Sequence, residues 1–159
     1  MYISIFFTLI IGFILFSIST EDIKTKIISE TKLRIMAVFG LLYLITLGLT
    51  SRKINTIDLI INNLFSMLII FILMSSLSYI SYKLIRINSL GLGDIKLSSF
   101  SAIWIGIELS FISLCISFLL SAIYSIYIKF TKKFKKFHQY PFAPFLSIGI
   151  FCSWLLDKF

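Results

Sequence analysis

Two carboxylates in this chain stand where they could do chemistry. Asp94 follows two of the seven glycines, in Gly91-Leu92-Gly93-Asp94-Ile95-Lys96-Leu97. Glycine lacks a side chain, so the backbone there can turn sharply and approach another segment closely. A carboxylate just behind such a turn opens a helix, where the positive end of the helix dipole favours an anion. Asp22 closes another apolar run, in Thr20-Glu21-Asp22-Ile23-Lys24-Thr25-Lys26-Ile27-Ile28-Ser29. Each has an ordinary alternative: Asp22 as a helix-end residue in water among lysines, Asp94 as a helix cap. Two carboxylates that face each other cannot both ionise easily, and one keeps its proton. The ionised one can then take a proton from water while the protonated one donates to a peptide carbonyl. That is the chemistry of an aspartyl protease, and it needs no metal, no nucleophilic Ser or Cys and no organic cofactor.

Other reactive residue types are scarce. The single histidine, His138, sits in a basic cluster and reads as an interfacial loop residue, since one histidine makes neither a triad nor a metal site. Cys115 and Cys152 both lie inside apolar runs with no Cys-x-x-Cys spacing. They read as two small buried residues rather than a zinc site or disulfide framework.

The elements that must position the carboxylates are set by composition. The chain has 159 residues, of which 58% are hydrophobic and 14% charged, and its mean hydropathy is +1.02. A soluble domain of this length needs far more polar surface. The apolar runs are continuous blocks of Ile, Leu and Phe, not the alternating segments of a membrane barrel. Backbone groups in lipid must be satisfied internally, so these runs are helices. The expected fold is an all-α membrane protein, a polytopic bundle of about six transmembrane helices in a single domain, 1–159. The expected spans are 2–19, 33–50, 57–82, 95–107, 109–128 and 142–156, with Gly106 and Glu108 marking the turn between the fourth and fifth. The first 20 residues carry no Lys or Arg, so the basic start of a cleaved signal peptide is missing.

Lysine and arginine orient the bundle. The first, third and fifth loops hold four (Lys24, Lys26, Lys32, Arg34), three (Lys83, Arg86, Lys96) and five (Lys129, Lys132, Lys133, Lys135, Lys136). The second loop holds Arg52 and Lys53, and the fourth none. The bias puts the odd loops in the cytoplasm, and with them Asp22, Asp94 and the stretch Tyr140-Pro141-Phe142-Ala143-Pro144-Phe145-Leu146. The net charge of +8 thus reflects topology and anionic headgroups rather than nucleic acid. The run from Lys129 to Lys136, interleaved with Phe130, Phe134 and Phe137, reads as an anchor at the headgroups. Lys96 stands either to tune Asp94 or to anchor at the interface, and a lysine near a helix end favours the anchor.

These three stretches resemble the type IV prepilin peptidases, membrane aspartyl proteases with a GxGD signature. The 91–97 stretch is similar to that signature, including the lysine two positions after the Asp. Asp22 with its basic run is similar to the family's first catalytic Asp, with Ile28 matching and Ser29 where proline is usual. Residues 141–146 resemble the late PxGPxL-like motif, with Ala143 in place of glycine. Presenilin-like proteases also carry GxGD but pair it with Tyr-Asp, whereas Glu21 precedes Asp22 here. The resemblance implies catalysis by Asp22 and Asp94, an approach for substrate shaped by Gly91 and Gly93, no metal or cofactor, and prepilin-like or pseudopilin precursors as substrates. It implies a place in the inner membrane of a bacterium or archaeon. The short first loop without a cysteine pair is similar to minimal members that lack the methyltransferase domain. Oligomeric state is not readable from these residues.

The rival is a non-enzymatic membrane protein, an assembly scaffold or small transporter subunit. In that case Asp22 and Asp94 would be solvated or paired with lysines. A proton-coupled carrier would need polar residues deep within several spans, and Asn62 and Asn63 lie near an outer end.

Overall fold

The structure is a computed structural model and describes residues 2–50, 55–86, 90–131 and 140–158. Arg52, Lys53, Lys132, Lys133, Phe134, Lys135, Lys136, Phe137 and His138 lie outside the described residues. Five helices follow one another: α1 (Tyr2–Thr25), α2 (Glu30–Thr50), α3 (Thr56–Ile85), α4 (Leu92–Thr131) and α5 (Ala143–Lys158). No strand occurs among the described residues.

The helices are apolar on every side, as expected where the surroundings are lipid. Leu9, Phe13 and Phe16 on α1 are 70%, 75% and 69% exposed. A protein in water would not present such a row of side chains. By length and composition α1, α2, α3 and α4 can each cross a membrane, and the chain is a multi-pass membrane protein. That makes four such helices rather than the six expected. α5 has 16 residues, short of the roughly 20 a crossing needs, and the first arm of α4 is short as well.

α4 is two arms joined at a break. Gly106 has φ 72° and ψ −176°, inside a helix that otherwise runs 40 residues. A side chain is disfavoured at such a φ, and glycine meets no penalty there. The contacts show the chain reversing at this point. Before the break α4 runs alongside α2, with Lys96 bonded to Glu30 and the Trp104 indole N–H donating to the Met36 carbonyl at 3.0 Å. After it, Phe118 packs on Phe142 with ring centroids 5.4 Å apart, and Tyr124 packs on Phe145 at 5.2 Å. Phe142 adjoins the residue that touches Asp22, so the second arm has returned to the end where α4 began. The turn expected at Gly106 and Glu108 falls at this break.

The core sits between the arms and the other helices. Phe7, Tyr43, Trp104 and Trp154 form an aromatic cluster, with Tyr43 stacked on Trp104 at 5.8 Å and Trp154 edge-on to Tyr43 at 5.0 Å. α5 lies against the second arm of α4 through small residues. A Cβ on Gly149 would fall 2.2 Å from Ser117 Oγ and 2.4 Å from the Ser113 carbonyl. Close approach through Gly and Ser is the usual way helices associate where no hydrophobic force drives them together. Both cysteines are exposed, not buried as expected. They lie on outward faces of α4 and α5, where the apolar surroundings are lipid rather than protein.

Candidate active site

Asp22 belongs to a helix, not to a loop after one. The expected first span ended at residue 19, but α1 continues to Thr25. Ile11, Leu15, Ile18 and Asp22 are spaced four, three and four residues apart, which keeps them on one face. Their exposures are 0%, 2%, 0% and 6%, so the carboxylate ends the buried stripe of α1. The helix stops soon after. Lys26 takes the left-handed conformation, φ 55°, and its N–H donates to the Asp22 carbonyl at 2.9 Å, an αL ending of the kind that satisfies a helix C-terminus.

The Asp22 side chain is held from far along the chain. The Ala143 N–H donates to Asp22 Oδ2 at 3.1 Å. Ala143 opens α5, and the Phe142 carbonyl accepts from Phe145 N–H and Leu146 N–H, both at 3.1 Å. Pro144 falls in the first turn, where a missing N–H costs nothing.

Asp94 is placed by the start of α4. The Gly91 carbonyl accepts from Asp94 N–H at 3.1 Å and from Ile95 N–H at 3.2 Å. This puts Asp94 in the first helical turn, as the sequence suggested. Its Oδ1 is buried and has no hydrogen-bond partner among the described residues. A buried carboxylate oxygen with nothing to accept from is costly, and such an atom calls for an explanation beyond packing.

Asp22 and Asp94 line one cavity of about 360 Å³, together with Gly91, Gly93, Ile28 and Glu30. They are close enough to interact coulombically. Asp94 stands in the first turn of α4 and Asp22 accepts from the first residue of α5, so each carboxylate is at a helix start, where the dipole favours negative charge. The two glycines differ. Gly93 is a contact point, since a Cβ there would lie 3.1 Å from Ile28 Cβ. Gly91 is beside the carboxylate, and a Cβ there would meet only Asp94 Oδ2, at 3.3 Å.

The nearby lysines with resolved partners pair with glutamates. Lys32 Nζ lies 3.2 Å from Glu21 Oε2 and donates to the Ser17 carbonyl at 2.9 Å. Lys96 pairs with Glu30. Ser29, in the place where proline was expected, donates its N–H to Glu21 Oε2 at 3.4 Å. A proline could not make that bond, so the loop before α2 is tied by Glu21 instead of by a ring. Among the described residues no group of three His, Cys, Asp or Glu is disposed to hold a metal. Asn62 and Asn63 line a different hollow of about 510 Å³, beside Gly106, Glu108 and Asp157.

Sequence reasoning brought together Asp22, Asp94 and the 140–146 stretch. It missed the Ala143 amide, the Ile28 contact and the pairing of Glu21 and Glu30. Pro144 was the available signal for the first of these, since proline early in an apolar run marks a helix start.

A sequence profile described as the type IV leader peptidase family matches residues 9–126. The matched region contains Asp22 and the 91–97 stretch and stops short of α5. No curated protein matches the chain, and no solved structure does.

Proposed function

This chain belongs to the type IV leader peptidase family, and on that premise we propose that it is an aspartyl endopeptidase cutting the leader from prepilin-like precursors at the cytoplasmic face of a bacterial or archaeal inner membrane. Asp22 and Asp94 are the catalytic pair. A water held between them attacks the scissile carbonyl carbon. One carboxylate takes the proton of that water while the other gives its proton to the carbonyl oxygen. The tetrahedral species collapses as the C–N bond breaks and a proton passes to the departing amine. Which carboxylate begins protonated is a property of the pair. Gly91 leaves the side of Asp94 open for the substrate backbone, and Gly93 lets α4 settle on Ile28.

One observation carries this reading: both carboxylates border a single cavity, and the resolved lysine pairs next to it are with Glu21 and Glu30. A scaffold that used Asp22 and Asp94 for ion pairs would hold a lysine against them, and among the described residues no Lys or Arg pairs with either, although Lys26 lines the same cavity. The cytoplasmic side rests on the excess of Lys and Arg in the odd loops. The test is a cleavage assay in membranes, with a tagged prepilin from the same genome co-expressed with wild type, Asp22→Asn or Asp94→Asn. Cleavage by wild type and none by either variant, with all three inserted, supports the reading. Full-rate cleavage by one variant removes the pair mechanism, and no cleavage by wild type of any prepilin moves the scaffold ahead.

A further inference from the structure

We propose that the main-chain amide of Ala143 is the positioning group for Asp22, so that the start of α5 is part of the working site; this rests on the aspartyl peptidase reading above. Asp22 caps α5 from across the fold. Of the first N–H groups of α5, those of Phe145 and Leu146 bond to Phe142, Pro144 has none, and that of Ala143 goes to Asp22 Oδ2. One carboxylate oxygen is thereby engaged and the other is left for water. The Asp94 carboxylate meets main chain only locally, at Gly91 three residues before it, and its Oδ1 has no partner among the described residues.

The restraint is stiff because α5 is keyed to α1 along its length. Ser147 Oγ donates to the Leu15 carbonyl at 3.4 Å. A Cβ on Gly12 would lie 3.3 Å from the Phe151 ring. The Trp154 indole N–H donates to Thr8 Oγ1 at 2.8 Å. These contacts fix the register of α5 against α1, so the amide cannot drift from the carboxylate. A hydrogen bond to a charged group is directional and stronger than a neutral one, and small misplacement of a reacting group is costly in rate.

The experiment replaces the amide at 143 by an ester, using the α-hydroxy analogue of alanine in the full chain in detergent. The control is the same ester at 145, whose N–H bonds only to Phe142. Cleavage of a prepilin N-terminal peptide is followed for kcat and KM, with wild type and Asp22→Asn alongside. The 143 ester is expected to lower kcat about 10- to 100-fold with KM within about threefold, and the 145 ester to leave both nearly unchanged. Ala143→Pro, which also removes the N–H at a position where proline suits a helix, is expected to follow the 143 ester. The role is overturned if the 143 ester keeps kcat within about threefold of wild type, if both esters lose kcat equally, or if the loss falls on KM. A lowered Tm with unchanged kcat overturns it too, since the bond would then serve stability alone. Wild-type cleavage by Asp22→Asn instead brings down the aspartyl reading and this role with it.

Discussion

Gly93 and Ile28 meet so closely that a Cβ on the glycine would lie 3.1 Å from that of the isoleucine. The first turn of α4, which carries Asp94, is therefore seated on the loop that follows α1, which carries Asp22. Gly93→Ala is expected to cost about 1–3 kcal/mol through overpacking and to slow cleavage by pushing the carboxylates apart. The double variant with Ile28→Ala should recover much of both. Unfolding in detergent and the membrane cleavage assay, run on the single and double variants, check this. Equal activity in all of them would mean that the contact does not set the site.

Asp22→Asn and Asp94→Asn should each reduce cleavage about 10²- to 10⁴-fold, the scale of losing a general acid or base. Both should still insert, since Asn preserves the side-chain shape. The wild-type rate should rise and fall with pH through two ionisations that belong to the pair. A rate that is flat across pH while chemistry limits turnover would contradict a shared proton.

Glu21 is the neighbour of Asp22 and gives the sharpest control. Glu21→Gln keeps an acceptor for the Ser29 N–H but removes the charge facing Lys32 at 3.2 Å. Part-exposed pairs of this kind contribute about 0–1 kcal/mol. Cleavage by Glu21→Gln should stay within about fivefold of wild type, measured in the same gel-shift assay as Asp22→Asn. A loss as deep as that of Asp22→Asn would move the chemistry to the wrong carboxylate.

Gly106 tests the reversal of α4. A side chain at φ 72° is strained, and Gly106→Ala is expected to destabilise by about 1–3 kcal/mol. Its effect on kcat should come only through the folded fraction, because the break lies at the opposite end from the aspartates. Reversible unfolding in mixed micelles, together with activity per folded molecule, separates the two.

Much of this was legible in the amino acids. Continuous Ile, Leu and Phe blocks dictate helices in lipid, and the pairing of Gly106 with Glu108 marks the reversal. Lysine distribution places Asp22, Asp94 and residues 140–146 at one end, where Asp22 and Asp94 now share a cavity and Ala143 touches Asp22. The length of α1 was harder, because the charges after residue 20 look like a membrane boundary. The four-three-four spacing from Ile11 to Asp22 carried the burial, and it is a packing signal rather than a polarity one. The number of crossings could not be read, since α5 and the first arm of α4 lean on other helices and need not match a bilayer. Cys115 and Cys152 show the same limit, for an apolar run does not say which face turns to lipid. The partners of Lys32 and Lys96 depend on how α1, α2 and α4 meet. The Ala143 amide is a main-chain group, and main-chain groups leave almost no trace in residue types.

The amide and the carboxylate that it holds are 121 residues apart. During synthesis both aspartates enter the membrane well before α5 exists. A nascent chain paused in the loop after α4 has its acidic pair in place but lacks the peptide group that fixes one of them. On the proposed reading, insertion of α5 completes a site whose other parts were laid down earlier, and a chain arrested before α5 is expected to cleave far more slowly than the chain that carries it.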